Sequence, residues 1–72
     1  MNKYVYSECS ADYWPEICTV MGKSLEDAEE RVMAKYSQEY DLPDYPTFKT
    51  FREALNDEKE IALSDLYDIE TL

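Results

Sequence analysis

Histidine is missing altogether from these 72 residues, glycine occurs once, and 7 Lys and Arg stand against 17 Asp and Glu. Without imidazole the chain lacks the commonest general base and metal ligand of neutral pH, and every nucleophile system that pairs serine or cysteine with histidine is excluded. One glycine cannot build a phosphate-cradling loop. Two cysteines without histidine make a poor zinc set, and no carboxylates stand at a recognised ligand spacing to complete it. Asp65, Asp68 and Glu70 place oxygens in a short stretch, but the spacing departs from the calcium-loop pattern and lacks its glycine. Paired carboxylates of the glycosidase kind exist by type, yet a chain this short offers little cleft in which to desolvate them. The composition predicts a non-enzymatic protein with no cofactor and no metal.

Long apolar runs are missing as well. No uncharged stretch approaches the ~20 residues that span a bilayer, and Met1 to Trp14 carries Lys3, Glu8 and Asp12 where a secretory leader would be continuously apolar. A formal charge of −10 is repelled by anionic membranes and by nucleic-acid phosphates alike. The expected setting is cytoplasmic, with Cys9 and Cys18 reduced and acting as small buried hydrophobes. A disulfide between them would require that they face each other across a hairpin.

What remains is enough to fold. A hydrophobic fraction of 44% and an aromatic fraction of 14% lie above the disordered class despite the charge. Residues 1–72 read as a single small acidic domain of modest stability, unless a partner or a second copy covers more apolar surface.

Lys3 to Cys9 is β-branched and aromatic and suits a strand; Ser10, Ala11 and Asp12 supply turn chemistry, and Pro15 leads into a second run, Glu16 to Met21. With Cys9 opposite Glu16, Val5 pairs with Val20 and Ser7 with Cys18 on one face, and Tyr4, Tyr6, Ile17 and Met21 share the other. Neither face is clearly polar. Gly22 allows the strand to turn into a helix without steric penalty. Ser24 is its N-cap, with Glu26 and Asp27 favourably placed in the first turn. Leu25, Ala28, Val32, Tyr36 and Tyr40 form the apolar stripe, flanked by Met33, and the helix ends near Asp41, before Pro43. A second helix is capped by Thr47 or Thr50, with capping-box spacing from Thr50 to Glu53, and buries Phe48, Phe51, Ala54 and Leu55. Ile61 and Leu63 alternate over a short third strand. Ser64 to Leu72 is ambiguous: Leu66, Ile69 and Leu72 fit a helical step, Tyr67 and Ile69 an extended one. The predicted fold is α+β, in the order β-β-α-α-β: an N-terminal hairpin, two helices packed on it and a short third strand, in a small single-layer sheet. Trp14, before Pro15, is either a lid on the core, the favoured reading, or an exposed anchor for a partner.

The charge is uneven. Residues 1–23 carry −1, residues 24–52 carry −3 and residues 53–72 carry −6. The last group holds Glu53, Asp57, Glu58, Glu60, Asp65, Asp68 and Glu70 with only Lys59 opposing. Such a block can be a solvated face that keeps a small apolar domain soluble. It can also copy a nucleic-acid backbone, because helical and strand neighbours hold carboxylates at fixed short spacing and a rigid row avoids the ordering cost of a disordered tail. Tyr67, between Asp65 and Asp68, and Tyr45, beside Asp44, could anchor a partner or simply fill core edges with hydroxyls in water. The candidate partner-binding residues are Glu53, Asp57, Glu58, Glu60, Asp65, Tyr67, Asp68 and Glu70.

Strand, strand, then Gly22-Lys23-Ser24-Leu25-Glu26-Asp27-Ala28 and a helix resembles the start of HicB-type antitoxins over about the first half of the chain. That resemblance implies a hairpin and helix from a partly degraded RNase-like fold that neutralises a small toxin. The second half supplies no recognisable DNA-binding module. As a compositional class the chain also resembles small acidic proteins of phages and mobile elements that inhibit host nucleic-acid enzymes or defence systems. The leading expectation is thus an inhibitor that docks its acidic face on the basic surface of a nucleic-acid-handling protein, without binding nucleic acid or membrane itself. The alternatives are a self-associating structural or assembly module, as a homodimer, and a HicB-like toxin binder.

Overall fold

Two strands open the chain, β1 (Asn2–Ser10) and β2 (Tyr13–Gly22), joined by the tight turn at Ala11 and Asp12. A computed structural model describes residues 1–71. After the hairpin come α1 (Leu25–Tyr40), α2 (Phe48–Lys59), β3 (Ile61–Leu63), β4 (Tyr67–Asp68) and a 3-10 turn at Ile69–Thr71. The order and class are those patterned in the sequence, an α+β arrangement on one small open sheet, with β4 as an added short strand. Leu72, part of the helical spacing considered for the chain end, lies outside the described residues.

The central strand is β1. It pairs antiparallel with β2 along one edge, and with β3 and then β4 along the other. Its register with β2 differs by one residue from that expected: Tyr4 faces Val20, Tyr6 faces Cys18 and Glu8 faces Glu16. A slip of one residue changes which side chains share a face. Tyr4 and Tyr6 therefore lie with Cys18 and Val20 on the core side, while Ile17 and Met21 join Val5 and Ser7 on the outer side. The cause is a bulge near the turn, where Trp14 and Pro15 together stand opposite the single residue Cys9, between the pairs Glu8–Glu16 and Ser10–Tyr13. Proline has no N–H for a ladder, so a bulge on an edge strand is where it is tolerated. The bulge also turns Trp14 away from the core: it is 85% exposed, so of the two readings the favoured lid gives way to the exposed side chain. Alternation puts Cys9 and Cys18 on opposite faces, and both are half-buried free thiols.

Both helices lie against the inner face. Ser24, extended, accepts the Asp27 N–H at 3.2 Å and so caps α1; Asp41, in the left-handed region at φ 55, ends it. Ala28, Val32 and Tyr36 are buried, but Leu25 is 45% exposed, because it sits in the first turn, past the end of β2. On α2 the reciprocal cap is Thr47 with Thr50, one turn earlier than the expected Thr50 and Glu53: Thr50 N–H donates to Thr47 Oγ1 at 3.1 Å and Thr47 N–H to Thr50 Oγ1 at 3.2 Å. Starting there keeps Phe48, Phe51 and Leu55 on one buried stripe. The core joins these to Tyr4, Tyr6, Ile61, Leu63 and Leu66 and contains no charged residue.

Gly22 is needed for space, not for a left-handed φ, since no glycine here has positive φ. A Cβ added to it would stand 2.7 Å from Ala28 N and 2.9 Å from Ala28 Cα, and backbone cannot step aside as a flexible side chain can. Gly22→Ala is expected to cost ~1–3 kcal/mol, read as a lowered urea midpoint; an unchanged midpoint would mean that α1 does not approach the end of β2 so closely.

Tyr6 and Tyr36 meet in the core with hydroxyls 3.5 Å apart. Burial, above all, raises both from the ordinary 10.0. The folded state therefore holds these protons more tightly than the unfolded chain. The contribution of this pair is constant below pH 10 and falls above it, by about 1.4 kcal/mol per pH unit for each tyrosine as long as the folded side chain keeps its proton. Tyrosinate absorbance from these two rings should emerge only together with loss of circular dichroism, and Tyr36→Phe should flatten that decline. Smooth titration of all 7 tyrosines in a still folded chain would contradict the buried pair.

Candidate functional site

The eight sequence-selected residues fall into two groups. Glu53 in the middle of α2 and Asp57, Glu58 and Glu60 at its carboxyl end are all exposed. Asp65, Tyr67, Asp68 and Glu70 follow β3 and run beside β1. The pairs Ser10–Ile61 and Tyr4–Asp68 lie six residues apart on β1, ~20 Å at strand rise, which sets Asp68 apart from the end of α2, while Asp65 lies against Arg52 of α2.

The second group is partly engaged in holding the chain end. Asp65 Oδ1 lies 2.9 Å from Arg52 Nη1, and Arg52 also donates to the Leu63 carbonyl at 3.3 Å and covers the Phe48 ring. Across from Tyr6, Asp65 and Leu66 take the place of one residue, between the Ser7–Ser64 bonds and the Val5–Tyr67 pair. That bulge leaves Leu66 buried and Asp65 exposed for Arg52. Asp68 Oδ1 accepts the Glu70 N–H at 3.0 Å, forming the final turn. Tyr67, 50% exposed, pairs with Val5 on the outer face of the sheet, away from the helices. Arg52 was not among the sequence candidates; a lone cation at i−1 of Glu53 gives no signal until the chain end folds back onto it.

The first group is placed against local stability. A helix carries partial negative charge at its carboxyl end, so Asp57 and Glu58 in the last turn are opposed by the dipole. Lys59 is the one basic residue in that turn. Glu60, the C-cap, has φ 58, a left-handed conformation that costs a side chain with Cβ about 1 kcal/mol or more and that glycine adopts freely. Three acids thus gather where a lysine and a glycine would stabilise the fold. Beside them lies a shallow depression of ≈ 260 Å³ lined by Lys49, Arg52, Glu53, Asn56, Ala62 and Leu63.

Two carboxylates of α1 are shifted by their surroundings. Asp27 is held below the usual range, chiefly by the Lys23 N–H at 2.8 Å and also by Arg31 at 3.2 Å. Glu29 is raised, first by partial burial and then by Glu26. Among the described residues no group of three or more His, Cys, Asp or Glu is gathered as a metal ion would need, and no helix is long and apolar enough to cross a membrane. Compared with known proteins, the chain matches no family model, no curated protein and no solved structure. The HicB resemblance rests on Gly22 to Ala28 and the element order alone.

Proposed function

We propose that this protein is a non-enzymatic binding protein that docks the acidic end of α2 on a basic surface of a nucleic-acid-handling protein and blocks it by competition. The observation that carries this reading is the placement of Asp57, Glu58 and Glu60, where each opposes the local preference of the helix end. Charges kept at a cost to the fold are accounted for if another molecule meets them. A basic groove suited to phosphates accepts fixed carboxylates, and a charge-led encounter is fast and weakened by salt. Asp65, Asp68 and Glu70 add to the field at longer range, while two of the three also secure the chain end.

The test is capture from a cell lysate by the immobilised chain. Retained proteins should be released by salt and by competing duplex DNA, and an Asp57→Lys/Glu58→Lys chain should retain none of them. Retention that duplex DNA leaves untouched would reject mimicry.

A further inference from the structure

The free edge of β2 carries a second surface, independent of the acidic end. Ser64 occupies both backbone groups of Ser7: its N–H donates to Ser7 O at 3.0 Å, and its hydroxyl accepts from Ser7 N at 2.8 Å. Ser7 thus directs N–H and C=O away from β2. Alternation along an antiparallel ladder then makes Ser7–Ile17, Val5–Thr19 and Lys3–Met21 the pairs that exchange no bonds between β1 and β2. The N–H and C=O groups of Ile17, Thr19 and Met21 accordingly point outward, at an edge that no other strand covers among the described residues.

Edge strands are usually guarded by charge, proline or a bulge. Here Trp14, Pro15 and Glu16 guard only the turn end. Ile17 to Leu25 is the longest stretch of the chain without an acid. Lys23, just before α1, and Arg31 and Lys35 on the helix stand against Asp27, which is bonded to Lys23 and Arg31. In a chain of −10, this is where a second copy meets least repulsion.

We propose that two copies pair their β2 strands antiparallel about a two-fold axis at Thr19, forming one continuous sheet. That register is self-complementary: Thr19 meets Thr19 of the other copy, and Ile17 meets Met21 in both directions, all on the outer face, as favourable cross-strand pairs. It also brings Trp14 alongside the Ser24–Leu25 turn of the second copy. Trp14, Ile17 (76% exposed), Met21 (44%) and Leu25 are four of the seven large apolar side chains exposed among the described residues, and this one arrangement supplies all four with apolar neighbours. A stable dimer takes about 800 Å² from each partner, roughly a sixth of the 4978 Å² of this chain. Trp14 contributes on the order of 200 Å² of it.

Sedimentation of the full chain from micromolar to millimolar concentration should show a monomer–dimer equilibrium. Added salt should strengthen it by screening −10 against −10, the opposite of its effect on docking to a basic partner, so the two readings can fail separately. Amide exchange by NMR should show protection at Ile17, Thr19 and Met21 rising roughly tenfold or more across that range by mass action. Thr19→Pro removes only an outward N–H and should abolish the dimer; Ile17→Lys should do so by charge should the proline variant not fold. A chain that stays monomeric, or a dimer in which those three amides exchange freely or which survives Ile17→Lys, overturns the proposal.

Discussion

Phe51→Ala is expected to leave the chain unfolded at 25 °C. Phe51 is fully buried on the inner stripe of α2, and its ring meets Tyr45 edge-on at 6.0 Å. Removing such a ring costs ~3–5 kcal/mol through lost transfer energy and the cavity left behind. A single core in a chain of this length rarely supplies more than about 3–5 kcal/mol in all. The two figures are equal, so the folded population should collapse. Phe51→Leu, which keeps most of the volume, should remain folded at a cost near 1.5 kcal/mol or less. The measurement is far-ultraviolet circular dichroism against urea, because Trp14 is exposed and its fluorescence will change little on unfolding. A loss below ~1 kcal/mol for Phe51→Ala would mean that α2 does not seal this core.

Asp57→Lys/Glu58→Lys is expected to separate stability from binding, with opposite signs. Each lysine would lie favourably at the negative end of the α2 dipole, so the fold should gain ~0.3–1 kcal/mol per site. Binding should weaken by ~100-fold or more, since close interfacial charge pairs couple by about 1.5 kcal/mol upward and each reversal turns attraction into repulsion. Two reversals move the formal charge by four, from −10 to −6. A control with the same change in charge is Glu30→Lys/Glu39→Lys, at exposed positions of α1 away from the α2 end. If the control loses as much affinity, the acids act only as a general field; if neither pair matters, the acidic end is not the docking surface. The more obvious reversal at Asp65, Asp68 and Glu70 is a poorer test, because it also breaks the contact with Arg52 and the capped final turn.

Where each lesson was legible follows the range of the interaction behind it. Ser24 as N-cap, Asp41 as terminus, and the stripe Ala28, Val32, Tyr36 all rest on contacts within four residues. The same holds for Phe48, Phe51 and Leu55 on the second helix. Hydrophobicity favours the core for Trp14 and Leu25, but the bulge and the end of β2 set where the core stops, and both side chains are exposed. Composition named the acidic block as a block, yet the position of its members could not be seen: Asp65 acquires its structural role only once Arg52, more than ten positions away, comes alongside, and Asp68 joins the sheet only against Tyr4, more than sixty away.

Helices, their caps, the hairpin, the class of fold and the anionic character of the last twenty residues are properties of short stretches, set by backbone and side-chain groups near one another along the chain. Strand register, the face each side chain takes, the open edge of β2 and the parting of the acids arise from pairing between distant segments. A single inserted residue at Trp14–Pro15 exchanges the inner and outer faces of half the hairpin, and the energy that selects one pairing over its neighbour comes from the assembled core, which no local pattern contains.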